Sequence, residues 1–140
     1  MVSLKSFRLA LSALLLAGGL LCVSTLAHAD TRIFEIRTYT THPGKLEALQ
    51  ARFRDHTMLA FEKHGMKNIA YWTPQDAPLS DNTLIYVIAH ESREAARRNW
   101  QAFMADPAVK QFMAASEEQG KIVAKVESVF VQATAYSPLK

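Results

Sequence analysis

The chain has 140 residues, nearly half of them hydrophobic, with 16 basic and 13 acidic side chains and a formal charge of +3. Its one cysteine, Cys22, excludes an intrachain disulfide and a cysteine-cluster metal site. No basic cluster beyond Arg97-Arg98 is present, so nucleic acid has no electrostatic footprint to bind.

The first thirty residues read as a cleavable leader. Lys5 and Arg8 precede an uncharged apolar run from Leu9 to Leu26, and Ala27-His28-Ala29 sets small residues at the −3 and −1 positions before Asp30. A run of that length also suits a membrane anchor, for which about 20 apolar residues suffice. Gly18-Gly19 and Ser24-Thr25 interrupt it, however, and the cleavage site follows directly. The expectation is an exported protein, periplasmic or secreted, that keeps no membrane segment once residues 1–29 are removed. Cys22 leaves with the leader, and the loss of Lys5 and Arg8 brings the formal charge to about +1. Residues 30–140 are the length of one domain with its own core.

Ile33 to Thr40 alternates as a strand, with Phe34, Ile36 and Thr38 on one side and Ile33, Glu35, Arg37 and Tyr39 on the other. His42-Pro43-Gly44 is a turn. A helical pattern then runs to about His64, with Leu46, Leu49, Phe53, Thr57 and Ala60 as its buried stripe, and Gly65 stops it. Asn68 to Thr73 is a short second strand, and the proline- and aspartate-rich stretch from Pro74 to Asn82 is a loop. Thr83 to His90, almost continuously apolar, is a central third strand. Ser92 caps a helix with the stripe Ala96, Trp100 and Phe103, and Asp106-Pro107 restarts a helix through Val109, Phe112 and Met113 until Gly120. Ile122 to Gln132 is the last strand, with Val123, Lys125, Glu127, Val129 and Val131 on one face.

The order strand, helix, strand, strand, helix, strand predicts an α+β fold of the ferredoxin-like βαββαβ type, with both helical layers on one face of a four-stranded antiparallel sheet. The other face is expected to display Ile33, Tyr39, Val123, Val129 and Val131, too apolar to stay wet, so a homodimer packed sheet to sheet is expected.

Several segments in order resemble the NIPSNAP family. They are Glu35-Ile36-Arg37-Thr38-Tyr39-Thr40 with Pro43-Gly44-Lys45, Phe61-Glu62-Lys63-His64-Gly65, Ala70-Tyr71-Trp72-Thr73, Glu91-Ser92-Arg93, Ala105-Asp106-Pro107 and Tyr136-Ser137-Pro138-Leu139. The resemblance implies a dimeric α/β barrel built from two ferredoxin-like subunits, a superfamily that includes small monooxygenases, isomerases and haem-binding proteins. It carries no agreed catalytic residues. Ile88 and His90 stand where many members have a W-x-Y pair, and Val109 replaces a common tryptophan.

Candidate chemistry is placed on the sheet face away from the helices. Glu35, Arg37 and Tyr39 are expected there beside Lys125 and Glu127, with Tyr86 and His90 joining from the third strand. The plainer alternative is a ladder of cross-strand ion pairs supporting a dimer. His56 is a candidate lone acid–base group facing the cavity, and Tyr71, Trp72 and Trp100 are core or interface aromatics that also suit a pocket wall. His56 and His64 are about 12 Å apart along a helix, too far to share a metal. Neither a phosphate loop nor a serine-nucleophile motif occurs, so no cofactor is expected. The leading expectation is a homodimeric module binding a small organic ligand. The alternatives are a cofactor-independent oxygenase or isomerase using Glu35, Arg37 and His56, and a structural or protein-interaction domain.

Overall fold

The computed structural model describes residues 32–140, so the leader assigned to residues 1–29, Cys22 within it and the junction at residue 30 lie outside the described residues. Four strands form one antiparallel sheet: β1 (Ile33–Thr41), β2 (Lys67–Trp72), β3 (Thr83–His90) and β4 (Val123–Gln132), in the order β2-β3-β1-β4. The two central strands, β1 and β3, carry apolar or β-branched residues on both sides, as suits a strand paired along both edges.

Four α-helices, α1 (Leu46–Arg52), α2 (Met58–Lys63), α3 (Arg93–Ala105) and α4 (Pro107–Ser116), lie with the core on one face of the sheet. Leu49, Phe53 and Phe61 from the first helical layer, and Phe103 and Val109 from the second, close on Leu84, Tyr86 and Ile88 of β3. The single long helix expected after the first turn is three segments without a break in the right-handed helical backbone, because a π-helical stretch, Phe53–Thr57, joins α1 to α2. Its buried residues Leu49, Phe53, Thr57 and Phe61 recur every four positions. At 3.6 residues per turn that spacing drifts by roughly 40° per step. The wider π turn takes up the drift and keeps all four residues facing the sheet. Arg52, at the end of α1 just before it, has a side chain that is almost fully buried.

The helix starts follow the sequence closely. Ser92 accepts from the Ala95 amide at the head of α3, and Asp106 accepts from the Ala108 amide at the head of α4. Gly65 ends α2 at φ +75°, a conformation that costs a side-chain-bearing residue energy and that glycine adopts freely.

The registers reverse one expectation. Across β1, Glu35 pairs with Ile88 and Phe130, Arg37 with Tyr86 and Ser128, and Tyr39 with Leu84 and Val126. Cross-strand partners share a face, and Tyr86 and Ile88 belong to the core under the helices. Glu35, Arg37 and Tyr39 therefore face the helices, and Ile33 shares their side. The open face carries Phe34, Ile36 and Thr38 with Ile85, Val87, Val129 and Val131. It is still apolar, though three of its five expected residues point the other way: Ile33, Tyr39 and Val123, which an irregularity at the start of β4 sets opposite Thr41 and against the core. Both sides of β1 hold two apolar residues, so alternation alone did not distinguish inside from outside, and a one-residue choice exchanges the faces.

Candidate functional site

Glu35 is the hub of a buried polar network. Its Oε1 accepts from Arg37 Nη1 and from Ser128 Oγ, each at 2.6 Å, and its Oε2 accepts from the Trp100 indole N–H at 2.7 Å and pairs with His90 Nε2 at 3.2 Å. The carboxylate is 1% exposed. Burial alone would push its titration up, yet the hydrogen bonds from His90, Ser128, Trp100 and Arg37 outweigh it and bring the carboxyl down to about 2. Glu35 is thus a fully committed anion, suited to holding its neighbours in place.

Arg37 stands on that anchor. Its Nη2 donates to the Tyr39 hydroxyl at 3.4 Å, and its guanidinium carbon lies 4.4 Å from the centre of the Trp100 ring. Tyr86 donates to the same Tyr39 hydroxyl at 3.2 Å, and burial pushes the Tyr86 phenol well above its ordinary range, so it stays protonated. Tyr71 stacks on Tyr86 with ring centres 5.4 Å apart and hydrogen-bonds Asn68 through its hydroxyl.

Arg37 and Tyr39 line a partly enclosed cavity of about 340 Å³ between the sheet and the helices. Apolar side chains form its walls: Phe53, Phe61, Trp100, Phe103, Met104 and Met113. Arg52 closes the polar side, reaching Ser116 Oγ and Glu117 Oε1 at 3.3 Å each. A larger groove of about 660 Å³ at the far end of the sheet, beside Lys67, His90 and Glu91, is more open. The smaller space has the enclosure and mostly apolar lining of a small-molecule site.

The expected constellation is therefore partly assembled. Glu35, Arg37, Tyr39, Tyr86 and His90 are linked by hydrogen bonds, but beneath the helices rather than on the open face. Glu127 is a correction: it pairs with Thr38 across the strands, on the opposite face, and its carboxylate meets Lys125 at 2.9 Å near the surface. The proposed ladder joining Glu127 and Lys125 to Glu35 and Arg37 does not exist. His56 is a second correction, since it is exposed and stacks on Phe112 outside the cavity, ring centres 5.3 Å apart. The π turn places Thr57 on the inner side and leaves His56 on the outer one. Trp72 is a third: it sits opposite Ile85, on the open-face side, and is 53% exposed, whereas its neighbour Tyr71 points inward. Among the described residues no three of His, Cys, Asp and Glu are grouped so as to hold a metal ion.

Two polar members of the site had been missed. Ser128 lies opposite Arg37 on an edge strand and carries no sequence signal of its own. Arg52 did carry one, because it stands three residues after Leu49 and beside Phe53, on the buried stripe of an amphipathic helix.

A sequence model of the NIPSNAP family matches residues 34–138. The chain belongs to the NIPSNAP family. A NIPSNAP family protein of unknown function from Agrobacterium tumefaciens str. C58 superposes with a TM-score of 0.69 at 21% identity, covering 81% of this chain and 97% of the other. An uncharacterized NIPSNAP-like domain protein from Burkholderia xenovorans gives 0.67 at 17% identity, with 78% and 90% covered. The protein PA3566 from Pseudomonas aeruginosa gives 0.52 at 19% identity, with 77% and 99% covered. At these identities the likeness to the NIPSNAP structures speaks to fold and not to activity. No curated protein matches the chain.

Proposed function

We propose that this NIPSNAP domain is an exported, homodimeric module that binds a small organic molecule in the cavity between its sheet and its helices. The observation that carries the reading is the cavity itself. It is partly enclosed, walled by aromatic and methionine side chains, and lined also by Arg37, Tyr39 and Arg52. The network behind Arg37 consists of four groups on one carboxylate, an arrangement that holds a binding residue in a single geometry.

Dimerisation is supported by the open face of the sheet. Val129 and Val131 are 54% and 37% exposed and stand beside Ile36 and Phe34 across the β1–β4 ladder. A sheet face of that composition gains about 25 cal/mol for each Å² of apolar surface removed from water, and a second copy of the same face removes it. Export is supported by the leader pattern of residues 1–29.

Native mass spectrometry of the protein purified gently from an expressing cell tests all three parts. The expected result is a dimer of chains that begin at Asp30, carrying a reproducible extra mass of small-molecule size. A bare dimer after mild release would count against the cavity as a binding site. A monomer would sink the sheet-to-sheet assembly, and an intact N-terminus on the exported form would sink the cleavage.

A further inference from the structure

Resting on that cavity reading, we infer that the molecule bound is an organic monocarboxylate with a compact aromatic or aliphatic body, its carboxylate held by Arg37, Tyr39 and Arg52. The charged groups lining the cavity have one sign. Arg37 and Arg52 are there, and no carboxylate lines it. Glu35 sits behind Arg37 with both oxygens already engaged by four partners, so it does not compete for the remaining donors.

The two arginines also keep donors that no acceptor meets. Arg37 spends Nη1 on Glu35 and Nη2 on Tyr39, and its buried Nε–H has no acceptor. Arg52 spends Nη1 on Ser116 and Glu117 at the long distance of 3.3 Å, and its buried Nε–H has no acceptor either. The Tyr39 hydroxyl accepts from both Arg37 and Tyr86, which leaves its own proton to give. Buried donors without acceptors are uncommon in folded proteins, because each forfeits the hydrogen bonds it had in water. Here two such donors, the Nε–H groups of Arg37 and Arg52, belong to residues that line one cavity.

The same groups limit the charge and the size of the ligand. Arg37 is neutralised by Glu35 at 2.6 Å, whereas Arg52 is only loosely paired with the partly exposed Glu117. A single negative charge can take Arg52 over from Glu117, whereas a dianion would bring a second charge into an apolar chamber with nothing to pair it. The rest of the chamber is Phe53, Phe61, Trp100, Phe103, Met104 and Met113, which suits a ring or short branched chain rather than a sugar or a nucleotide. Arg52 also lines the outer groove between α1 and α4, so it stands where the chamber meets the surface.

The test is calorimetric titration of the purified protein with 3-phenylpropionate and with its amide, which is close to it in shape, carries no charge and keeps one acceptor oxygen. The expected result is that the carboxylate binds about tenfold or more tightly than the amide, the usual value of one charge-assisted hydrogen bond. Arg52→Gln and Tyr39→Phe should each lower the carboxylate's affinity more than the amide's and so remove most of that advantage. If Arg52→Gln does not fold, Tyr39→Phe decides, since it keeps the ring packing and removes only the donor. Equal binding of the two probes would overturn the carboxylate assignment and leave the cavity reading standing. A carboxylate preference that survives both substitutions would overturn the assignment to these residues. Binding of neither probe would overturn the cavity reading and the assignment with it.

Discussion

At the scale of single residues the chain invests most heavily in Glu35. Its carboxyl titrates near 4.5 in the unfolded chain and near 2 in the folded one. A depressed carboxyl contributes stability that is complete above about pH 4.5 and disappears as the pH falls toward 2, and the difference corresponds to about 3 kcal/mol. Urea denaturation between pH 7 and pH 2 should therefore show a loss of that order in the wild-type protein. Glu35→Gln should lack this part of the acid slope and be less stable at pH 7 by about 3 kcal/mol, because Arg37 then keeps a buried charge without its partner. Trp100→Phe keeps an aromatic ring beside Phe61 and Phe103 and deletes one donor to Glu35. It should cost about 1–3 kcal/mol in the same assay.

At the scale of elements, the caps and the π turn set where the cavity residues stand. Removing the α3 cap with Ser92→Ala should lower stability by about 1 kcal/mol in thermal or urea unfolding. Gly65 is more demanding. A Cβ there would strain the backbone at φ +75° and come within 3.3 Å of the Asn99 side chain, which itself donates to the Gly65 carbonyl. Gly65→Ala should thus destabilise by about 1 kcal/mol or more, and calorimetric unfolding is the check. The Asp106 cap does a second job, since Lys63 Nζ and His64 Nε2 reach its Oδ2 at 2.7 and 2.8 Å and tie the end of α2 to the start of α4. Those contacts hold the Asp106 carboxyl well below its usual range, so they add to the loss of stability in acid.

At the scale of the whole molecule the open sheet face is where the proposed dimer is tested. Placing glutamate at both Val129 and Val131 adds two charges to the apolar patch without touching the core on the other side. The double variant should remain folded by circular dichroism and elute as a monomer by light scattering, against a dimer for the parent. A parent that is already a monomer would show that the face stays exposed in solution.

What the sequence determined by itself was the set of elements and their order. Apolar runs, Ser92, Asp106-Pro107 and the turn glycines are local signals, and local backbone preferences read them directly, so strands and helix starts fell within a residue or two of their expected places. That order already implied the split βαβ topology and an apolar open face. The tertiary structure alone decided which side of β1 is inside. Phe34 and Ile36 on one side and Ile33 and Tyr39 on the other satisfy alternation equally, and only pairing with β3 under the helices breaks the tie. The same limit explains Glu127 and His56. Their surroundings are made by Thr38 and Phe112, each far away in the chain, and by a π turn that no short sequence pattern announces.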